Sequence, residues 1–242
     1  MRPNRNLGKA LLVTALLGLA GSAYAQKIKT ENQPNFDLHV FHFGFMLSYN
    51  TSDFFMKLKP TAPFADSLLV LDHVKQPGFN LGIVSSFNMT PNLSLRFLPS
   101  LSFQDRQLKY SFLKSDGKTT VFLKPVESTY LEFPLLLKLR SDRINNFAVY
   151  LIAGGKYSMD MASQKDVNQA IDDEIVIKLR RTDHSAEIGG GVDMFLPYFK
   201  FGLELKMGVG IPNLLIDDNT RFSSPIESLR SKTYMFTFTF EG

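Results

Sequence analysis

The sequence predicts an all-β fold, an eight-stranded antiparallel transmembrane β-barrel of the outer-membrane type, preceded by a cleavable signal peptide. Three observations predict it. The chain opens like an export signal, apolar–polar alternation with period two recurs eight times, and the connections between those stretches are alternately long and short.

The first element is the leader. Arg2, Arg5 and Lys9 precede the apolar run Ala10 to Ala20, and Ala23-Tyr24-Ala25 supplies a small-x-small cleavage site. That run is well short of the ~20 residues a membrane-spanning helix needs, and no later run reaches ~18. Cleavage after Ala25 removes three of the 27 basic residues and none of the 23 acidic ones, so the nominal +4 becomes +1. The basic balance therefore belongs largely to the leader and gives no reason to expect a nucleic-acid partner. The absence of Cys excludes a disulfide scaffold, a thiolate metal site, a Cys nucleophile and a lipid-modified Cys.

The strands follow in order. In Leu38 to Tyr49, the residues Phe41, Phe43, Phe45, Leu47 and Tyr49 face one way, and His42, Gly44, Met46 and Ser48 the other. Gly78 to Asn88 sets Phe79, Leu81, Ile83 and Phe87 against Asn80, Gly82, Ser86 and Asn88. A third strand is expected over Asn92 to Phe103, a fourth over Thr129 to Arg140 and a fifth over Phe147 to Tyr157. The sixth, Ser185 to Leu196, opposes Ile188, Val192 and Met194 to Glu187, Gly189, Gly191 and Asp193. The seventh, Phe199 to Val209, alternates without a break, and the eighth, Lys232 to Phe240, sets Tyr234, Phe236, Phe238 and Phe240 against Thr233, Thr237 and Thr239. Stretches of this length match a tilted strand crossing a bilayer.

The connections after strands one, three, five and seven are long: residues 50–77, 104–128, 158–184 and 210–231. Those after strands two, four and six are short, around Pro91-Asn92, Ser141 to Asn146 and Pro197-Tyr198. Outer-membrane barrels have short periplasmic turns and longer outer loops, so both termini are expected in the periplasm. The domain organisation is then a signal peptide at 1–25, a periplasmic N-terminal segment at 26–37 and an outer-membrane barrel at 38–242. A soluble lipocalin-type barrel has the same period with its faces exchanged. Here the polar faces carry clustered Gly, Ser and Asn with single charges, which suits a cramped lumen, and the apolar faces are unbroken Phe and Leu, which suits lipid.

Several stretches resemble a known family. Phe43-Gly44-Phe45-Met46-Leu47-Ser48-Tyr49-Asn50, Leu95-Arg96-Phe97-Leu98-Pro99-Ser100-Leu101-Ser102-Phe103, Tyr130-Leu131-Glu132-Phe133-Pro134-Leu135-Leu136-Leu137-Lys138 and Ile188-Gly189-Gly190-Gly191-Val192-Asp193 are similar to the PorT family of Bacteroidota, over essentially the whole mature chain. The Tyr-Leu-Glu-Phe-Pro segment is common to many small outer-membrane barrels of that phylum. The resemblance implies a component of the type IX secretion system, needed for protein export and in some species for gliding motility. It carries over no catalytic residue. One departure is the end of the chain, where Phe240 is followed by Glu241 and Gly242 instead of closing on an aromatic.

The residues themselves point to no reaction. The expected lumen holds Arg96, Glu132, Lys138, Arg140, Glu187, Asp193, Lys200, Glu204 and Lys206, with His42 nearby. Charges on facing walls of so narrow a barrel are expected to pair as a structural network, because an unpaired buried charge is costly; a proton relay or hydrolytic carboxylate pair is the lesser reading. His39, His42, His73 and His184 show no metal-binding spacing. There is no Gly-x-Ser-x-Gly elbow and no phosphate-binding glycine loop. No cofactor, catalytic residue or small-molecule substrate is expected. Asp172-Asp173-Glu174 reads as part of a solvated hairpin, with Ca²⁺ binding the lesser alternative. The first long connection is unusually apolar, with Phe54, Phe55, Phe64, Leu68 and Leu69. It either folds over the barrel mouth, with some residues extending the strands, or it forms a docking surface for a partner. The partners expected are membrane lipid and other proteins of a secretion apparatus.

Overall fold

The computed structural model describes residues 31–59, 68–113, 118–161, 177–218, 220 and 222–242. The expected signal peptide lies outside the described residues. The strands are β1 (Phe41–Leu58), β2 (Leu68–Asn88), β3 (Leu93–Phe97), β4 (Ser100–Leu113), β5 (Thr119–Arg140), β6 (Phe147–Asp160), β7 (Thr182–Phe195), β8 (Lys200–Gly210) and β9 (Ile226–Glu241). β3 and β4 are one stave of the wall. Both pair with β2 on one side and β5 on the other, so the single third strand read from the sequence is divided at Leu98-Pro99. Proline has no N–H to give the ladder, yet the ladder is carried across the break, with Ile83 N donating to Pro99 O at 3.0 Å and Leu98 N to Pro134 O at 3.1 Å.

Every neighbouring pair of staves is antiparallel, and β1 closes the ring by pairing with β2 (Phe41↔Phe87 to Ser52↔Gln76) and with β9 (Gly44↔Glu241 to Leu58↔Ile226). The result is an eight-stranded barrel with no free edge in its lipid-crossing part, which a bilayer requires because it offers the backbone no hydrogen bonds. Around the wall the outward positions form an apolar belt: Phe41, Phe43, Phe45, Leu47 and Tyr49 on β1, Phe79, Leu81, Ile83 and Phe87 on β2, and Leu135, Leu137 and Leu139 on β5 are all exposed. Phe45 stacks on Phe240 at 4.7 Å and Phe79 on Phe103 at 4.6 Å. Eight residue steps along a tilted strand give the belt a height of about 20 Å, close to the ~25 Å apolar band of outer-membrane barrels.

The staves are longer than the sequence reading made them, up to 22 residues in β5. Two of the four long connections, 50–77 and 104–128, consist mostly of strand. Past the belt the alternation changes sense, and this hid them. On β4 the outward residues run Leu101, Phe103, then Asp105, Gln107 and Lys109, and the inward ones Ser102, Gln104, Arg106, then Leu108, Tyr110 and Phe112. β9 does the same, with Phe238, Phe236 and Tyr234 outside giving way to Lys232 and Arg230, and Thr237, Thr233 and Ser231 inside giving way to Leu229. One stave is inside-out where it meets lipid and ordinary where it meets water.

Beyond Ser52 and Gln76 the ladder between β1 and β2 stops. The distal end therefore divides into a two-stranded ribbon of β1 and β9 and a three-stranded sheet of β2, β4 and β5. Asp53 and His73 meet at the fork, Oδ1 to Nδ1 at 2.6 Å. The two pieces share one apolar core of Phe54, Leu108, Tyr110, Phe112, Phe222, Ile226 and Leu229, completed by Ile177, Leu179, Leu214 and Leu215.

Candidate functional site

The barrel interior, its two mouths and the distal extension are the places where function can reside. The ion-pair network of the lumen is built from five cations, Arg96, Lys138, Lys156, Lys200 and Lys206, and five carboxylates, Glu132, Glu187, Asp193, Glu204 and Glu241. Arg96, wholly buried, bonds to Glu204 and, at 3.1 Å, to Glu241. Lys200 donates to the other Glu241 oxygen at 2.9 Å, Lys138 to Asp193 at 2.7 Å, and Lys156 bridges Glu132 at 2.9 Å and Glu187 at 3.0 Å. Tyr150 donates to Glu204 at 3.0 Å. Gly191 makes room for that tyrosine: a Cβ there would stand 2.6 Å from the Tyr150 ring and hydroxyl.

Eight of the nine lumen residues expected from the alternation lie in this network. Arg140 does not. It sits at the rim, where its guanidinium pairs with Asp37 at 2.8 Å and donates to Pro91 O, because the strand leaves the barrel at that point and the next inward position is already outside. The sequence reading also missed Lys156 and Glu241. Glu241 was legible: it continues the polar face of Thr237 and Thr239 one step past the last phenylalanine. Gly242 N then donates to Phe43 O at 3.1 Å, so the last two residues belong to the wall.

The mouth beside both described chain ends is closed by residues 32–38. The Asn32 backbone N–H donates to Asn146 Oδ1 at 2.7 Å, and the Asn32 amide donates to Phe195 O at 2.9 Å. Arg143 binds Asp37 at 2.7 Å and donates to the carbonyls of Asn32 and Gln33. Phe36 is thereby pressed onto the His42 ring, the two rings stacked nearly parallel with centroids 3.8 Å apart, and against Phe195. His39, His42, Phe36, Tyr198 and Gly242 line a hollow at this end. His73 and His184 lie elsewhere, and among the described residues no three His, Cys, Asp or Glu side chains converge as a metal site would. Asp172-Asp173-Glu174 lies outside the described residues.

At the distal end the apolar core sits over the lumen like a stopper. Between stopper and ionic network, Arg106, Tyr130, Glu132, Lys156, Asp183 and Ser185 line a polar cavity of about 10 Å³ for the centre of a water-sized sphere, room for roughly one water. Arg106 forms its roof, stacked 4.9 Å from the Phe54 ring and 5.4 Å from Tyr130. Tyr110 donates to Phe222 O at 2.9 Å, and burial pushes its phenol well above the ordinary range.

The residues expected in an apolar first loop are placed differently from one another. Phe54 and Phe55 are in β1 and Leu68 and Leu69 in β2, so none of the four is in a loop. Phe54 is 2% exposed, in the stopper; Phe55 is 63% exposed, on the outside of the ribbon. Leu69 is exposed near Val70, Leu113, Val121 and Leu123 on the outer face of the three-stranded sheet. Phe64 lies outside the described residues. The alternation carried this distinction, since the even-numbered residues of β1 from His42 to Met56 point inward.

The family whose description reads "Outer membrane protein beta-barrel domain" matches residues 3–215. No curated protein matches the chain in sequence. Among solved structures it is similar to the outer membrane protein OprG from Pseudomonas aeruginosa, at 10% identity over 82% of this chain and 93% of that one, with a TM-score of 0.42. It is also similar to the Neisserial surface protein A, at 12% identity, 82% and 96% coverage and a TM-score of 0.41. The attachment invasion locus protein of Yersinia pestis, in complex with the heparin analogue sucrose octasulfate, is 11% identical with 84% and 100% coverage and a TM-score of 0.37.

Proposed function

The chain belongs to the outer membrane protein beta-barrel domain family, and on that premise we propose that it serves type IX secretion as a non-enzymatic assembly or accessory component of the PorT kind. The observation that carries this reading is a lumen filled by an ion-pair network and stoppered at both mouths. A barrel closed in this way conducts nothing through its centre, so its work lies in contacts made by outer surfaces. The similarity of Leu95 to Phe103 and of Tyr130 to Lys138 to the PorT family names the apparatus those contacts serve.

Both termini are assigned to the periplasm, with 1–25 as signal peptide and 26–37 as the N-terminal segment that runs into the clasp. The three short turns lie at the end that bears the described termini, as periplasmic turns do. Deleting the gene is expected to trap secreted cargo inside the cell, and gentle purification from native membranes is expected to recover large secretion components. Normal secretion after deletion would remove the reading. A surface binding or adhesion role is the second reading, supported by Leu69, Val70, Leu113, Val121 and Leu123 exposed on one face of the distal sheet. Loss of adhesion with secretion intact would favour it.

A further inference from the structure

On β9 the outward positions read Phe240, Phe238, Phe236, Tyr234, Lys232 and Arg230. Each step of two residues rises about 5 Å along a tilted strand. Tyr234 thus stands at the rim of the apolar belt and Lys232 just above it, at headgroup depth. Lys75 of β2 reaches the same tyrosine from across β1: its Nζ is 6.0 Å from the Tyr234 ring centroid, and Lys232 Nζ is 5.2 Å from it. Two ammonium groups therefore converge on one ring, with Arg230 on the next outward position, beside the exposed Phe55.

Among the described residues no carboxylate lies within 4 Å of Lys75, Lys232 or Arg230, whereas Lys57 and Lys59, farther from the belt, are each paired, with Glu227 at 2.7 Å and Asp217 at 2.9 Å. Asp53, opposite Lys232 in register, is buried and engaged by His73 at 2.6 Å. Like charges brought together at the edge of a low-dielectric layer repel strongly, and a dianion between them removes that cost. A phosphate has the charge and acceptor oxygens to take both ammonium groups and the tyrosine hydroxyl, and the belt directly below accommodates acyl chains.

We propose that Lys75 and Lys232, gathered around Tyr234, with Arg230 farther up the same face of β9, bind the phosphate of a membrane lipid headgroup against the outer wall of the barrel. The site rests on the orientation given above for its assignment to the outer leaflet, but the binding chemistry does not. The test is native mass spectrometry of the purified chain in neutral detergent with bisphosphorylated lipid A, its dephosphorylated form, or inorganic phosphate. The intact chain is expected to retain the phosphorylated lipid. Lys75→Gln with Lys232→Gln should lower retention roughly tenfold or more, near 1 kcal/mol per cation at a membrane surface. Lys57→Gln should change nothing, and a heat-dependent gel position shows that each variant is folded. Equal retention by the double variant, or of the dephosphorylated lipid, overturns the site. Displacement of the lipid by equimolar inorganic phosphate overturns the lipid as its occupant. Which side of the membrane the site faces is read separately, from proteolytic access to the distal end on whole cells.

Discussion

Arg96 is the cation shared by two buried carboxylates, Glu204 on β8, which also meets Lys206 and Tyr150, and Glu241 on β9, which also meets Lys200. Replacing it with Met is expected to destabilise the barrel by about 3–5 kcal/mol, since it takes one buried cation away from two buried carboxylates and leaves the network with excess negative charge; urea unfolding in micelles measures it. Gly191→Val drives a side chain into Tyr150 and should break the Tyr150–Glu204 bond at similar risk to the fold. Tyr110 is a titration probe for the distal stopper. Its folded phenol is held above the ordinary range by burial, so the stability it contributes is complete below the ordinary tyrosine value of ~10 and is lost as pH rises through the folded value. Ultraviolet titration should show this tyrosine ionising only as the stopper opens. Most of the lumen was legible residue by residue, because inward positions carry their polarity in the sequence. Their partners were not: alternation says that Lys138 points inward, and nothing local says that Asp193 faces it.

At the level of strands, the decisive feature is the change of sense along a single stave. Phe236 faces lipid near mid-belt, and Phe236→Arg should cost ~2–4 kcal/mol in folding into bilayers. Leu108 lies on the same barrel but above the belt and points inward, wholly buried. Leu108→Ala should cost about 2–5 kcal/mol as a cavity in the stopper, and protease sensitivity of the distal end should rise while the heat-dependent gel position of the barrel persists. A uniform polar-in, apolar-out pattern stops at Phe103 on β4, so the sequence reading ended its strand there and assigned 104–128 to a loop. The stave continues for ten residues, to Leu113. Along β4 the alternation persists from end to end; only the identity of the wet face changes, because water replaces lipid outside and an apolar core replaces the ionic network inside.

Taken whole, the molecule is a wall with nothing to pass through it: clasp at one mouth, ion pairs through the middle, apolar stopper at the other. Reconstituted in planar bilayers it should show no conductance steps, and a protein that opened a steady channel would contradict the sealed lumen. The chain itself determined that there are eight staves, which residues meet lipid and which lie inside. These follow from backbone period, strand length and side-chain polarity, all properties of neighbours in sequence. Tertiary structure alone decided that Arg140 leaves the lumen to hold Asp37, that Arg96 and Lys200 are the cations Glu241 meets, and that the core around Phe54 closes the distal mouth. The physical reason is that a barrel's tilt and shear fix which residues of distant strands meet across the lumen and where each stave crosses from lipid into water, and no stretch of sequence carries either quantity by itself.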